Sequence, residues 1–221
     1  MATKSGGDKI TRYIVIGMVI FVVAVGGVFS FLDNKSSTSS AIPSSASQSD
    51  GYGIVFNGDL TGKPVVDIWE DFQCPACGAF ESANGAYIEE LITQKRAKVV
   101  FHILSFLGPE SKLAANAAAC SSDEDKYLEF NRYLYANQSA ENSGRLSSAG
   151  LVEAGAAVGL TSSTFKECVN AGTYNGWVDR VASDGASKNV NGTPTVFVNG
   201  KELDRNTQYM NPVAFKSAVE G

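Results

Sequence analysis

The stretch VVDIWEDFQCPAC, residues 65–77, decides the fold. Its first eight residues are mostly β-branched or aromatic, which predicts a buried strand. The Cys-x-x-Cys pair follows at once and opens a helix that we expect from Cys74 to about Lys95. A helix N-terminus carries partial positive charge and free N–H groups, and both favour a thiolate over a thiol. Because Cys77 lies about one helical turn from Cys74, the pair predicts thiol–disulfide exchange.

The segments on either side extend this stretch into an α/β fold. Residues 97–106 (AKVVFHILSF) predict a second strand, so that strand, helix and strand form a right-handed crossover. Residues 51–57 predict a short edge strand before it, and a long helical region follows it. The chain returns to strand at GTPTVFVNGK, residues 192–201, where Asn-Gly predicts a tight hairpin. With a last helix beginning at Asn211, the expected order is β-β-α-β, a helical insertion, then β-β-α.

Composition limits the possible functions. The chain has 221 residues, of which 44% are hydrophobic, and a formal net charge of −5. This is enough for one sizeable core, and the acidic balance argues against nucleic acid as a partner. The four cysteines would be thiols or a metal site in the cytosol, but two disulfides in an exported protein.

The N-terminal segment indicates the compartment. Residues 13–32 contain no charged residue and would rise roughly 30 Å as a helix, which predicts a transmembrane anchor. Three cations against one acid among residues 1–12 predict a cytoplasmic N-terminus and a remainder outside the membrane. A cleaved signal peptide is the alternative, although its apolar region is usually shorter and no A-x-A site follows Leu32.

The next segment links the anchor to the folded part. Residues 33–50 are rich in serine and nearly free of apolar side chains, so they predict a disordered, flexible tether. Its root-mean-square span would be about 20–25 Å. The folded domain is expected over residues 51–221.

Two motifs carry a family resemblance. EDFQCPACGAFE (residues 70–81) and GTPTVFVNGK (residues 192–201) resemble the DsbA-type branch of the thioredoxin superfamily, in particular the membrane-anchored forms of Gram-positive actinobacteria. The resemblance implies a thioredoxin fold over about residues 51–107 and 189–221, with an inserted all-helical domain at about 108–188. It also implies a thiol–disulfide oxidoreductase that needs no cofactor.

The resemblance assigns a role to the second motif. It implies that the Thr193–Pro194 peptide bond is cis and that this loop lies beside the cysteine pair. The backbone of the loop would then bind an extended substrate segment by strand addition. Thr193 and Pro194 are therefore expected to line a substrate groove.

The two cysteines are expected to differ. Cys74, at the helix start, should be the nucleophile, partly exposed and with a pKa well below about 8.5. Cys77 should be buried and act as the resolving thiol; a structural disulfide or a metal pair is the alternative. Ala76 stands where strong oxidants of the family have histidine, which predicts a potential nearer to about −180 mV than to about −120 mV.

Acidic residues precede the pair. Related enzymes often place a buried acid six residues before the first cysteine, where this chain has Ile68. Glu70 shares the face of Ile68 by strand alternation, so it is our candidate proton relay. A structural carboxylate is the alternative for Glu70, and Asp71 lies next to it. His102, the only histidine, fits a core or surface position better than a catalytic one.

The remaining cysteines, Cys120 and Cys168, fall in the helical region. The resemblance favours a structural disulfide between them that joins two helices. Two buried free thiols are the alternative.

Several functions fit these features. The first is a membrane-anchored, monomeric oxidase that introduces disulfides into reduced or unfolded exported proteins and is regenerated by a membrane partner. The resemblance implies a vitamin K epoxide reductase homologue as that partner. The second is a reductase or isomerase on the same scaffold, for example in cytochrome maturation. A zinc-binding interaction domain using four cysteines and a non-catalytic anchored peptide-binding module are further alternatives.

Overall fold

The computed structural model describes residues 41–221. The predicted cytoplasmic segment at residues 1–12 and the predicted membrane span at residues 13–32 lie outside them. Within residues 41–221, no helix combines the length and the apolar character needed to cross a bilayer.

A mixed six-stranded sheet lies at the centre, in the order β1-β2-β4-β3-β5-β6. The strands are β1 (Ala46–Ser47), β2 (Gly53–Phe56), β3 (Val65–Glu70), β4 (Lys98–Ile103), β5 (Thr195–Val198) and β6 (Lys201–Glu202). The apolar strand β3 pairs parallel with β4 and antiparallel with β5, so it has a neighbour on both sides. This central position explains its β-branched and aromatic composition.

Seven helices in the described part surround the sheet. They are α1 (Pro75–Thr93), α2 (Pro109–Ser122), α3 (Tyr127–Ala136), α4 (Ser148–Ala157), α5 (Ser163–Ala171), α6 (Asn175–Ser187) and α7 (Pro212–Glu220). Helices α2 to α6 form one lobe between β4 and β5 in the chain. The expected α/β fold with a helical insertion is therefore confirmed.

Alternation along β3 sends its side chains to two different layers. Ile68 and Glu70 point towards α1, which carries Phe80 against Phe215 of α7. Trp69 points towards α6, where a Cβ on Gly185 would lie 2.9 Å from the indole ring. Gly185 thus allows α6 to approach the sheet closely, and the residues at the end of β3 are buried on both faces.

The prediction of a disordered tether over residues 33–50 is wrong for its last residues. Ala46 and Ser47 pair with β2, and the N–H and hydroxyl of Ser44 donate to Asp123 at 3.1 and 3.2 Å. The edge of the sheet is therefore β1, and the strand expected at residues 51–57 lies inside it. Composition failed here because a two-residue strand is held by its backbone pairing and not by apolar burial.

A disulfide joins two helices of the lobe. Cys120 in α2 and Cys168 in α5 are bonded, with Cα atoms 6.0 Å apart and a sequence separation of 48. The same two helices are linked by Asn116, which donates to the carbonyl of Val169 at 3.4 Å. The lobe therefore has a covalent connection between helices that are distant in sequence.

Removing this disulfide should destabilise the lobe. For a closed loop of this separation, the chain-entropy model gives a loss of about 4 kcal/mol in the free energy of unfolding. We expect the Cys120→Ala/Cys168→Ala double variant to unfold at correspondingly lower urea concentration, with Cys74 and Cys77 kept reduced in both proteins. An unchanged midpoint would contradict a stabilising role for the bond.

Candidate active site

The two sequence motifs meet at the end of the sheet. The register of β3 and β5 places Trp69 opposite Thr195, so the residues just after β3 lie beside those just before β5. The Thr193–Pro194 bond is cis, and Cys74 Sγ lies 3.4 Å from the Thr193 carbonyl oxygen. Residues separated by 119 positions in sequence thus form one site.

Cys74 caps the N-terminus of α1, with Pro75 as the first helical residue. Only 8% of Cys74 is exposed, so it is more enclosed than the sequence suggested. Hydrogen bonds from the Cys77 thiol, then from Thr193 and from the backbone N–H groups of Cys77 and Ala76, lower the pKa of Cys74 to about 5, against the opposing effect of burial. Cys74 is therefore a thiolate at neutral pH.

The environment of Cys77 shifts its thiol pKa in the opposite direction. It is fully buried, and burial raises the pKa of its thiol far above the usual range; the hydrogen bond to Cys74 and the charge of Glu70 raise it further. At neutral pH the reduced pair therefore consists of a Cys74 thiolate and a Cys77 thiol. Cys77 can attack only after a nearby base has taken its proton.

Glu70, the expected relay, lies below this pair. It is fully buried, and apart from the neighbouring carboxyl of Glu81 its two carboxyl oxygens have no hydrogen-bond partner in the described part. Burial first, and then the charge of Glu81, raise the pKa of Glu70 well above its usual range. Burial also raises the pKa of Glu81 to about 7.

Sequence reasoning missed Glu81. Two carboxyls in contact form a hydrogen bond only when one of them is protonated, so Glu70 and Glu81 share a proton at neutral pH. A signal was available, because Glu81 follows Cys77 by four residues and therefore lies on the same face of α1.

A groove leads from the surface to this carboxyl pair. It lies between α1 and α3, has a volume of about 490 Å³, and is lined by Glu81, Asn131 and Tyr135 among others. The Tyr135 hydroxyl and Asn131 Oδ1 are buried without a hydrogen-bond partner in the described part. The groove therefore connects Glu81 with the surface.

Asp71 has a structural position. Its fully buried carboxylate accepts hydrogen bonds from the Gln73 N–H at 2.9 Å, the Ser111 hydroxyl at 2.7 Å and the Leu107 N–H at 3.3 Å. Burial raises its pKa, although these bonds oppose the shift. Asp71 therefore fixes the turn that leads from β3 into α1 and does not face the thiols.

The helical lobe holds the same turn from outside. The side-chain amide of Gln138 donates to the carbonyls of Phe72 and Cys74, both at 2.9 Å. A Cβ on Gly78 would meet the amide oxygen of Gln138, so a larger residue there would displace this amide. No sequence signal predicted Gln138, because it lies 64 residues after Cys74 in a loop.

His102 is not part of the site. It lies on β4 opposite Trp69, stacks on the indole ring at 3.8 Å, and has Nε2 3.2 Å from Asp67. Trp69 faces away from α1, so His102 lies on the other face of the sheet from Glu70.

The arrangement does not support a four-cysteine zinc site. Cys120 and Cys168 are bonded to each other, so only Cys74 and Cys77 are free thiols in the described part. Residues 41–221 contain no cluster of three or more metal-ligating side chains.

The thiolate of Cys74 can be measured directly. With the Cys120–Cys168 bond intact, thiolate absorbance at 240 nm in the reduced protein should titrate with a midpoint near pH 5. Replacement of Cys77 by Ala removes the largest stabilising hydrogen bond, so we expect the midpoint to rise towards the ordinary thiol value of 9.0. A midpoint that stays the same in Cys77→Ala would show that Cys77 does not stabilise the thiolate.

Comparison with known proteins agrees with this geometry. A family model described as thioredoxin matches residues 50–219. MdbA, a thiol-disulfide oxidoreductase from Actinomyces oris, is 26% identical with a TM-score of 0.70, over 81% of this chain and 92% of that one. Oxidised DsbA from Mycobacterium tuberculosis is 31% identical with a TM-score of 0.62, over 74% and 84% of the two chains.

A curated sequence named for disulfide formation is similar as well. Disulfide bond formation protein D from Bacillus subtilis is 26% identical over 144 residues, which cover 63% of this chain and 64% of that protein. The chain spans between 19% and 64% of the lengths of the curated relatives it matches. The match to the family model covers most of the chain. The chain therefore belongs to the thioredoxin family, and its folded part is a DsbA-like thiol–disulfide oxidoreductase domain.

Proposed function

We propose that this protein introduces disulfide bonds into exported proteins by donating the Cys74–Cys77 disulfide. The observation that carries the proposal is the opposite shift of the two thiol pKa values beside the Thr193 carbonyl. A low pKa stabilises Cys74 in the reduced form, and an enzyme with a stabilised reduced form is an oxidant of other thiols.

The reaction has two exchange steps. A substrate thiolate attacks Cys74 Sγ of the oxidised pair, the Cys74–Cys77 bond breaks, and the Cys77 sulfur leaves and takes up a proton. A second substrate thiolate then attacks the substrate sulfur of the mixed disulfide, and Cys74 leaves as the thiolate. Two electrons pass from the substrate to the enzyme, and the substrate gains one disulfide.

Ala76 should moderate this oxidising power. It is exposed and offers the Cys74 thiolate a backbone N–H but no side-chain donor. We therefore expect the reduction potential of the Cys74–Cys77 pair to lie nearer to about −180 mV than to about −120 mV.

Glu70 and Glu81 supply a proton to Cys77 and accept one from it. Cys77 must gain a proton when it leaves and lose one when the enzyme is reoxidised, and it is too buried to exchange that proton with water itself. The carboxyl pair holds one proton near neutral pH and reaches solvent through the groove between α1 and α3. It can therefore act as donor in one half of the cycle and as acceptor in the other.

Location and partners complete the proposal. The predicted anchor at residues 13–32 holds the domain outside the cytoplasm, as a single-pass monomer. The Cys120–Cys168 disulfide supports an oxidising compartment. A membrane redox protein then reoxidises Cys74 and Cys77. Our candidate for it is a vitamin K epoxide reductase homologue.

Oxidative refolding tests the function. The oxidised full chain, held in detergent, should restore activity to a reduced, unfolded disulfide-containing enzyme faster than glutathione buffer alone. The Cys74→Ser variant should give only the buffer rate, because no mixed disulfide can form. Activity confined to the reduction of insulin would identify a reductase instead, and refolding by Cys74→Ser would contradict exchange through Cys74.

Replacement of the relay should slow the exchange. Loss of a general acid–base group typically costs about 100-fold or more, so we expect Glu70→Gln to lower the exchange rate to that extent at pH 7. The rate of the unsubstituted protein should change near pH 7, where Glu81 titrates, and this inflection should disappear in Glu70→Gln. Glu167→Gln, at an exposed position on α5, is the matched control and should keep both rate and profile.

A normal rate and profile in Glu70→Gln would assign the buried carboxyl a purely structural role. A slow rate whose pH profile is unchanged would point to altered packing and not to proton transfer. Stopped-flow kinetics over a pH range that extends well to either side of the Glu81 pKa of about 7 separates these results.

A further inference from the structure

The groove between α1 and α3 contains buried polar atoms that the protein leaves unpaired. Asn131 is 4% exposed and Tyr135 is 8% exposed, and both line this groove of about 490 Å³. Asn131 Oδ1 and the Tyr135 hydroxyl have no hydrogen-bond partner in the described part, and Glu81 Oε1 has none except the neighbouring carboxyl of Glu70. Because an unpaired buried polar atom costs free energy, these three oxygens indicate a ligand that donates hydrogen bonds.

The groove also reaches a negative charge that has no counter-cation. Glu70 and Glu81 share one proton at neutral pH, so the pair carries one net negative charge. No lysine, arginine or histidine of residues 41–221 forms an ion pair with either carboxyl, and Arg132 at the groove pairs with Glu89 at 2.6 Å instead. A buried charge is costly unless an opposite charge accompanies it. The carboxyl pair therefore favours a cationic ligand.

The walls of the groove favour a cation with an apolar body. Ile88, Phe101 and Leu128 line it, and its volume falls within the range of about 300–1,000 Å³ that is usual for small-molecule sites. An ammonium group has three N–H donors, which match the three unpaired oxygens. A bare metal ion would leave the apolar walls uncovered, and calcium takes about six or more oxygen ligands. An organic amine satisfies both the charge and the walls.

Small residues of α1 keep the groove open. Gly78, Ser82 and Gly85 recur at the spacing of one helical face, and all three line the groove. A Cβ on Gly85 would lie 2.7 Å from Glu81 Oε2, so a side chain at this position would displace the carboxyl. The site is therefore formed before a ligand arrives, and a preformed site loses less conformational entropy on binding.

We propose that this groove is a binding site for a small organic amine, whose ammonium group pairs with the Glu70–Glu81 carboxyls and whose apolar body packs between α1 and α3. Neither Cys74 nor Cys77 lines the groove, so the amine does not compete for the reacting sulfur atoms. The site goes beyond the proposed function, because binding of an amine does not depend on which proteins the enzyme oxidises.

The redox state of the cysteines should change the affinity of this site. The charge of the Cys74 thiolate acts on Glu70, and this charge is present only in the reduced protein. The reduced protein therefore attracts an ammonium group more strongly, by about tenfold for one additional nearby unit charge. Linkage is reciprocal, so a saturating amine stabilises the reduced form by the same factor and raises the reduction potential by about 30 mV.

Calorimetry with two matched small molecules tests the site. Phenethylamine carries an ammonium group, and phenethyl alcohol has the same apolar body without the charge. The oxidised full chain, held in an uncharged detergent at pH 7, should bind the amine at least about tenfold more tightly, as expected for charge-assisted hydrogen bonds in a buried site. Equal affinities would overturn the proposal. Methylammonium or calcium ions that bind as tightly as phenethylamine would also overturn it, because the apolar body would then contribute nothing.

Variants locate the amine. Tyr135→Phe removes one hydroxyl and keeps the ring, so the affinity for phenethylamine should fall about fivefold. Tyr133→Phe, on the same helix but outside the groove, is the matched control and should keep the affinity. Ala86→Phe adds a ring at an exposed position that lines the groove, so it should abolish binding. Unchanged affinity in both Tyr135→Phe and Ala86→Phe would overturn the assignment to this groove.

Equilibration with glutathione tests the redox linkage. The fraction of reduced Cys74–Cys77 pair is measured by alkylation and mass spectrometry, with and without saturating phenethylamine. The amine should raise the midpoint potential by about 30 mV, which corresponds to tenfold tighter binding to the reduced protein. Ala86→Phe should show no shift, and an unchanged potential with the amine bound would overturn the linkage. Failure of oxidative refolding would contradict only the proposed function, because neither measurement uses a protein substrate.

Discussion

The pairing of β3 with β5 is the constraint on which the site depends. It brings the end of one strand and the start of another to the same edge of the sheet, although they are 119 residues apart at Cys74 and Thr193. The helical lobe occupies the intervening sequence and returns to support the turn through Gln138. One register thus positions the nucleophile and the loop opposite it, and the Gln138 amide then holds the helix start.

Burial beneath this edge links the protonation states of thiols and carboxyls. The lowered pKa of Cys74 stabilises the reduced protein above the ordinary thiol pKa, and this contribution is lost as pH falls through about 5. The raised pKa of Glu81 works in the other direction, because its contribution is present at low pH and is lost as pH rises through about 7. The disulfide form lacks the Cys74 contribution, so the two redox forms have different dependence of stability on pH.

The sequence identified local and motif-based features more readily than contacts between distant parts. The composition of residues 65–77 predicted the strand and the start of the helix, and the helical character of the later segment predicted the insertion between β4 and β5. The tether prediction failed at Ala46 because its pairing partner lies in β2. Helical spacing is enough to predict that Glu81 lies on the same face of α1 as Cys77. The role of Gln138 depends on a tertiary contact that no local pattern encodes.

The disulfide of the lobe has a consequence for how newly made copies of the protein mature. A newly made chain carries four thiols, and the described fold contains the Cys120–Cys168 bond in addition to the Cys74–Cys77 pair. Maturation therefore requires removal of two electrons to form the Cys120–Cys168 bond and of two more to oxidise Cys74 and Cys77 to a disulfide. A new chain whose Cys74–Cys77 pair is still reduced cannot oxidise its own Cys120 and Cys168. The first mature copies therefore depend on another oxidant, whereas under the function proposed above earlier copies can oxidise later ones.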